Sequence, residues 1–150
     1  MDVRLVLKAF RDLVRAEQVQ VEAGASMATS EATHSEARSE GKYDTRSTEA
    51  SYLARGQAER IAVLRRELAW FEAQLHESRV PLLQLWEGGA ARWVLLAPVA
   101  GGRRVSVDGQ EVVVVTPASP LGEALAEAEP GDEVTYMAGG RLRTVEFGEP

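Results

Sequence analysis

Few side chains in this sequence could take part in chemistry, and the most prominent of them are carboxylates. The chain has no cysteine, which excludes thiol nucleophiles and thiolate metal sites. Its two histidines, His34 and His76, stand alone without metal-ligand spacing, so we assign neither a role. Asp44 lies inside a polar, glycine-containing stretch, residues 39–47, and Glu49 follows it closely. A carboxylate there can stabilise the start of a helix or direct a metal ion, and both interpretations stay open.

A second group of charged residues is basic and lies near the N-terminus. Its members recur at steps of four, three and four, which places them on one face of a helix. They are Arg4, Lys8, Arg11 and Arg15. They could form an interaction surface, or they could pair with neighbouring acids such as Asp2 and Asp12.

Bulk properties limit the class of protein. The chain has 150 residues, 45% of them hydrophobic and 27% charged, which is ordinary for one or two small domains. A net charge of −6 argues against a protein that coats nucleic acid with positive charge. The first residues lack a signal-peptide pattern and no 18-residue apolar stretch exists, so we expect a cytoplasmic protein without a membrane partner.

The elements that must position these residues divide the chain in two. All prolines lie from Pro81 onward, whereas residues 1–78 contain only three glycines. Two apolar series with helical spacing occupy the first part. The first is Val3, Val6, Phe10, Leu13, Ala16, Gln20, Ala23 and Met27, and the second is Ala50, Leu53, Gln57, Ile61, Leu64, Leu68, Phe71 and Leu75.

These series predict an antiparallel coiled-coil hairpin over residues 1–77, with its tip near residues 40–49. If the chain reverses there, Phe10 faces Leu75 and Leu13 lies near Phe71, so that large residues meet large ones. Each arm would be about 45 Å long. A rigid stalk or a dimerising coiled coil is one interpretation of such a hairpin, and a probe for a deep channel is the other.

The second half predicts short strands and one helix. Asp108-Gly109 is a tight-turn signal between two strands, and Ser119-Pro120 is a helix start with a capping residue and proline at the first helical position. The predicted strands are 92–97, 104–107, 111–116, 132–137 and 141–147. The fold class is therefore α+β: the helical hairpin, a linker at 78–83, and a small antiparallel sheet with one helix at 84–150.

The order of motifs in the second half resembles the C-terminal domain of the bacterial transcription elongation factors GreA and GreB. The residues that carry the resemblance are the run from Thr116 to Leu125, with Ser119-Pro120-Leu121-Gly122 at its centre, followed by Pro130-Gly131-Asp132-Glu133-Val134. That family also has an N-terminal helical hairpin of about this length. The resemblance implies an FKBP-like fold for residues 84–150.

The resemblance also implies a function. Gre factors bind the core of bacterial RNA polymerase, insert the hairpin through its secondary channel and stimulate cleavage of backtracked RNA at its 3′ end. They assist the polymerase and are not enzymes on their own. The implied Mg²⁺ is shared with the polymerase active site, the chain has no cofactor of its own, and we expect a monomer.

At the hairpin tip the resemblance is partial. The family has Gly-Asp-Leu-x-Glu-Asn-Ala-Glu-Tyr there, and Ala50, Tyr52 and Gln57 match the corresponding stretch. Anchored on Tyr52, the two family carboxylates fall on threonines. The acids present, Asp44 and Glu49, are each displaced by one residue. They are the predicted catalytic acids, because carboxylate oxygens position a weakly bound Mg²⁺ in two-metal phosphoryl chemistry.

The remaining predicted sites also follow from the resemblance. The predicted RNA-binding residues are the basic group Arg4, Lys8, Arg11 and Arg15. The predicted polymerase-binding residues are Ser119, Pro120, Leu121, Gly122 and Asp132.

Other functions stay open. Gre relatives with altered tips include proteins that block the channel, so a regulator or inhibitor without cleavage activity is the alternative. A plain coiled-coil adaptor is another. A prolyl isomerase is the rival that an FKBP-like fold raises, and it would need a concave pocket lined by aromatic residues.

Overall fold

The computed structural model describes residues 1–36, 45–77 and 79–148. Two long helices come first, and six strands with one short helix follow. The elements are α1 (Val3–Glu36), α2 (Thr45–Glu77), β1 (Leu82–Glu87), β2 (Ala90–Leu96), β3 (Arg104–Val107), β4 (Gln110–Val115), α3 (Pro120–Ala126), β5 (Glu133–Ala138) and β6 (Arg141–Phe147). Among the described residues, no helix is long and apolar enough to cross a membrane.

The chain forms two compact units. The first, here the sheet unit, comprises Met1–Arg11 and Trp70–Pro150, and the second, here the helical unit, comprises Asp12–Ala69. The connection between Glu36 and Thr45 reaches at most about 30 Å even when extended, whereas α1 is about 50 Å long. Helices that pair along such a length must therefore be antiparallel, as the sequence predicts.

In the sheet unit an aromatic contact joins the start of α1 to the end of α2. Phe10 stacks on Phe71 with the ring centroids 5.6 Å apart, and Trp70 meets Phe71 edge-on at 5.1 Å. The predicted pairing of Phe10 with Leu75 and of Leu13 with Phe71 is therefore wrong by about one helical turn. Stacking of two aromatic rings adds to their burial, which favours this register.

The buried series of α1 also differs from the predicted one. Phe10 is followed by Val14, which is fully buried, whereas Leu13 is 39% exposed. Further along, Val21 is half-buried and Ala23 and Met27 are exposed. Steps of three and four are both helical, and because residues 13 and 14 are both apolar, the sequence pattern alone could not choose between them. In α2 the predicted series is confirmed from Gln57 to Leu75, with Leu64 and Phe71 fully buried.

The six strands form one sheet in the order β3-β4-β2-β1-β6-β5. The α+β class is confirmed, but the sheet is mixed and not purely antiparallel, because β2 pairs with β4 in parallel. Residues 97–103 carry the chain from β2 past β4 to the sheet edge. There β3 and β4 form an antiparallel hairpin, and the second reversal leaves β4 running in the direction of β2.

Strand β1 was not predicted, and its first residues fall inside the predicted linker 78–83. It pairs with β2 through a turn at Gly88 and Gly89, both of which have positive φ, at 59° and 84°. A Gly-Gly pair between two apolar runs is a hairpin signal, and it was the one available sign of this strand.

Both predicted hairpins are confirmed. Asp108 and Gly109 both have positive φ, at 52° and 76°, as a two-residue turn of the mirror-image type requires. The closing hairpin, β5 with β6, turns at Gly139 and Gly140.

One face of the sheet carries the core that holds α3. Leu121 and Leu125 of α3 join a buried cluster with apolar residues of four neighbouring strands. The strand residues are Leu85, Val94, Val134, Tyr136, Val145 and Phe147. The Ser119–Leu125 part of the family-like motif is thereby fixed to the sheet.

Candidate functional site

The start of α3 is a corner built by the hydroxyl of Ser119. Its Oγ accepts a hydrogen bond from the Gly122 amide at 3.1 Å and donates one to the Thr116 carbonyl at 2.7 Å. The Ser119 amide also donates to the Thr116 carbonyl, at 3.0 Å. Pro120 occupies the first helical position, where no amide hydrogen is needed. The Ser-Pro pair therefore acts as the predicted helix cap.

Gly122 is required by close contact and not by an unusual backbone angle. A Cβ at this position would lie 2.1 Å from the Thr116 carbonyl oxygen and 2.9 Å from the Pro117 Cα. Both contacts are with main-chain atoms, which cannot rotate away. The glycine of the motif thus lets α3 pack directly on the segment that leads into it.

The predicted polymerase-binding residues divide by exposure. Leu121 and Gly122 are buried, Ser119 is half-buried, and Pro120 and Asp132 are exposed. Asp132 accepts a hydrogen bond on Oδ2 from the Glu129 amide at 2.9 Å, which shapes the turn after α3. Of the five, Pro120 and Asp132 can present most surface to a partner, and the binding role of the set stays a prediction.

The acids at the predicted tip are only partly described. Asp44 lies outside the described residues, and α2 begins at Thr45, the residue that follows it. Glu49 is exposed and comes after the first turn of α2, which contains no acid. The interpretation of Glu49 as a first-turn acid that favours the helix dipole is therefore wrong, since that effect fades beyond the first turn.

Glu49 borders an open groove in the helical unit. The groove has a volume of about 910 Å³, and its walls come from both long helices. They are formed by Val21, Gly24, Glu49, Tyr52, Leu53, Gly56, Gln57 and Arg60. Two helical glycines line it, and an added Cβ at either would meet nothing within 4 Å. Tyr52 and Leu53 are 69% and 65% exposed.

The basic residues of α1 are mostly exposed. Arg4, Lys8 and Arg11 belong to the sheet unit and Arg15 to the helical unit, and of the four only Arg11 is half-buried. The three arginines each make polar contacts within the chain. That agrees with intrachain pairing, and RNA binding by this group stays a prediction.

Ion pairs tie the two helices together within the helical unit. Arg60 pairs with Glu17, and Arg65 donates to Glu22 at 2.9 Å. The pKa of Glu22 is lowered from its ordinary value, first by the hydrogen bond from Gln18 and then by Arg65. These pairs are solvent-exposed, so each contributes little stability at neutral pH.

A polar row on the sheet was not predicted. Glu87 accepts a hydrogen bond from Arg143 Nε at 2.7 Å and lies 3.5 Å from Arg92 Nη1. Arg92 also donates to the Tyr136 hydroxyl at 2.9 Å. Its Nε is buried and has no hydrogen-bond partner among the described residues. Alternation places each of the four on the face of a core residue of its own strand, but the register of four strands is needed to bring them together.

The aromatic residues on the strands are divided between the two faces of the sheet. Trp86 and Trp93 alternate with Leu85 and Val94, which face the core, so both tryptophans lie on the opposite face. Tyr136 and Phe147 lie in the core cluster instead. These four side chains do not together line a pocket of the kind that a prolyl isomerase would need.

Metal ligands are not grouped in the described part of the chain. No cluster of three or more histidine, aspartate or glutamate side chains within residues 1–36, 45–77 and 79–148 could hold an ion.

Comparison with known proteins finds similarity to solved structures. No protein-family model matches the sequence, and no curated protein matches it. The chain is similar to the transcription factor Gfh1, with 17% identity over 93% of this chain and 92% of that chain and a TM-score of 0.38. It is similar to GreA factor homolog 1 (Gfh1) of Thermus thermophilus, with 16% identity over 95% and 94% of the two chains and a TM-score of 0.33. For Gfh1 of Thermus aquaticus the identity is 17%, the coverage is 95% and 94%, and the TM-score is 0.34.

Proposed function

We propose that this protein is a Gre-type factor that binds the core of bacterial RNA polymerase and enters its secondary channel with the paired helices. There it stimulates cleavage of backtracked RNA, with Asp44 and secondarily Glu49 steering the second Mg²⁺ of the polymerase active site. The chain assists a reaction that the polymerase carries out.

The observation that carries the proposal is the build of the corner from Thr116 to Gly122. The sequence motif that resembles the Gre C-terminal domain depends on Ser119 as a cap and on Gly122 as a contact residue. The same backbone arrangement at the start of α3 requires both residues. The motif is therefore explained by the local structure as well as matched in sequence. These local requirements give a physical reason for the serine and the glycine of the motif in this chain.

The length of the helices supports insertion. A helix of 34 residues is about 50 Å long, and α2 is almost as long with 33 residues. The connection between them contains Asp44, and Glu49 follows on α2. An acid at the connection of two such helices could reach a site that is closed to a globular domain.

Exposed apolar residues on the helical unit also suit an inserted element. Met27 is 67% exposed and Tyr52 and Leu53 are similarly open. A stalk that only separates two domains gains nothing from such residues, whereas a channel wall can cover them. We expect the groove beside Glu49 to contact the polymerase.

Transcript cleavage by backtracked polymerase tests the proposal. Asp44→Asn should lower the cleavage rate at fixed Mg²⁺ by about 10–100-fold, the usual effect of losing a group that orients a metal site. Asparagine and aspartate cap helices comparably, so folding should persist. Glu49→Gln should have a smaller effect.

The matched control is Glu31→Gln, which makes the same charge change at an exposed position of α1. It should leave cleavage unchanged. Binding to core polymerase, measured by competition with a labelled wild-type chain, should stay constant in all three variants. Equal losses of cleavage in all three would contradict a specific role of the tip acids.

Channel binding without cleavage is the second candidate, and the displaced acids favour it. Measured from Tyr52, the family carboxylate positions hold Thr45 and Thr48 here. If the wild-type chain binds backtracked complexes but never shortens their RNA at any Mg²⁺ concentration, this candidate replaces the first.

A coiled-coil adaptor predicts no binding to polymerase at all. It would cover Tyr52 and Leu53 with a second helical chain, whereas we propose a monomer. Sedimentation equilibrium distinguishes the two, because an adaptor of this kind would associate at micromolar concentration.

A further inference from the structure

Four neighbouring strands place polar residues toward one end of the core face that carries α3, and on β6 both Arg141 and Arg143 share this face. The strands are adjacent in the order β2-β1-β6-β5. Arg143 and one residue on each of the other three strands lie two positions from a buried core residue on their own strand, so each shares that residue's face. The pairs are Arg92 with Val94, Glu87 with Leu85, Arg143 with Val145, and Tyr136 with Val134. We call Glu87, Arg92, Tyr136 and Arg143 the arginine row.

Several hydrogen-bond donors of the row, mainly those of Arg92, are not used within the row. Glu87 takes its short contact from Arg143, at 2.7 Å, while Nη1 of Arg92 stands 3.5 Å away, which is long for a hydrogen bond. Within the described part of the chain Arg92 uses one of its five N–H donors in a hydrogen bond, to the Tyr136 hydroxyl, and its Nε is buried, so its Nη groups are the donors open to a ligand. Because that hydroxyl accepts from Arg92, its own proton remains available to a further acceptor.

The two arginines of the row are exposed enough to be reached, whereas Tyr136 is 8% exposed. The side chains of Arg92 and Arg143 are 30% and 47% exposed. The neighbouring turn consists of Gly88 and Gly89, and an added Cβ at either would meet nothing within 4 Å. No bulky side chain of the turn therefore stands over the guanidinium groups.

Charge identifies the occupant. Two guanidinium groups and one carboxylate leave a single positive charge in the row, and one further carboxylate balances it. The planar fork of arginine matches a carboxylate with two parallel hydrogen bonds. A phosphate carries more negative charge than a carboxylate, so its repulsion by Glu87 and by the net charge of −6 would be stronger.

We propose that the arginine row is a docking site for an aspartate or glutamate side chain of a partner protein. Arg92 would provide the fork, Tyr136 would donate its hydroxyl proton, and Arg143 would remain with Glu87. The site lies within the sheet unit and goes beyond the proposed function, because it requires neither the paired helices nor the polymerase channel.

The test uses the full-length protein and a short capped peptide, acetyl-Gly-Asp-Gly-Glu-Gly-amide. Its Asn/Gln counterpart and a short single-stranded oligonucleotide serve as comparison ligands. Titrations are followed by NMR on the Nε–Hε signals of the arginine side chains at low salt, where charge interactions are least screened. The acidic peptide should bind in the millimolar range or tighter, and its amide counterpart should not.

Variants make the test decisive. Arg92→Gln should weaken binding about tenfold, the usual effect of losing charge-assisted hydrogen bonds. Arg143→Gln should weaken binding less, because Arg143 contributes positive charge but no hydrogen bond to the ligand. Glu87→Gln removes the competing carboxylate, so it should strengthen binding several-fold. A purely structural ion pair would give no such gain. Arg104→Gln is the control, since Arg104 has the same charge, pairs with Glu111 and lies on the edge strand β3.

Four results would overturn the proposal. They are no binding of the acidic peptide, unchanged or weaker binding in Glu87→Gln, an equal loss in Arg104→Gln, and tighter binding of the oligonucleotide through the same arginines. If Arg92→Gln fails to fold, Arg143→Gln and Glu87→Gln decide alone, because neither removes the hydrogen bond to Tyr136.

Discussion

Substituting Gly122 by alanine should destabilise the sheet unit strongly, although alanine is normally the better helix former. The added Cβ would lie 2.1 Å from the Thr116 carbonyl oxygen, whereas carbon–oxygen contacts normally begin near about 3.3 Å. The carbonyl would have to retreat by about 1 Å. It accepts two hydrogen bonds from Ser119, at 2.7 and 3.0 Å, and could not keep both at that displacement.

The size of the effect follows from three contributions. Two lost hydrogen bonds amount to about 2 kcal/mol, and overpacking adds about 1–3 kcal/mol. The better helix propensity of alanine offsets about 1 kcal/mol of this loss. We therefore expect Gly122→Ala to lower the free energy of unfolding by about 2–4 kcal/mol, a large part of the stability of a small unit.

Urea unfolding measures this loss. All three tryptophans, Trp70, Trp86 and Trp93, lie in the sheet unit, so their fluorescence follows the unit that contains Gly122. The midpoint should fall without a large change in slope. Gly24→Ala and Gly56→Ala are the controls, because nothing lies within 4 Å of an added Cβ at either helical position.

Each control substitution should instead raise the free energy of unfolding of the helical unit by up to about 1 kcal/mol. Urea unfolding followed by far-ultraviolet circular dichroism measures this change. A Gly122→Ala protein that unfolds within about 0.5 kcal/mol of the wild type, the scatter of an ordinary surface substitution, would refute the argument from the contact.

Three further predictions concern stability. Ser119→Ala should lower the free energy of unfolding of the sheet unit by about 0.5–2 kcal/mol in the same urea assay, through loss of the helix cap. Phe71→Ala should cost about 3–5 kcal/mol, because Phe71 is fully buried and stacked on Phe10; Phe71→Leu should cost less. The pKa of Glu22 is lowered by Gln18 and Arg65, so its stabilisation is present above the ordinary value of 4.5 and is lost as the pH falls through the lowered pKa. Glu22→Gln should therefore reduce the drop in melting temperature between pH 7 and pH 3.

Local sequence signals were sufficient to predict turns and helix starts at positions where the backbone conformation favours one residue type. Asp108-Gly109 fixed a two-residue turn, and Ser119-Pro120 fixed the start of α3 at its observed position. Each signal depends on atoms within a few residues of one another. The same kind of signal at Gly88-Gly89 was present and would have predicted β1.

Contacts between elements were harder to predict. Leu13 and Val14 are both apolar and both fit the helical period, and the tertiary structure buries Val14 while Leu13 stays 39% exposed. The parallel pairing of β2 with β4 depends on the path of residues 97–103, which no turn motif specifies. The arginine row needs the register of four strands at once, so alternation within one strand could not reveal it.

The residues on which the family resemblance rests and the residues proposed to act in cleavage differ in burial. Leu121 and Gly122 are buried in the sheet unit, so packing restricts which residues can stand there. Glu49 is exposed on the helical unit, so packing does not restrict it in this way. Because substitutions without shared partners act independently, a change at Glu49 should leave the urea midpoint of the sheet unit unaltered. Two chains with the same corner at Ser119 can therefore differ in the chemistry of their tips, and cleavage activity must be assigned from the acids there.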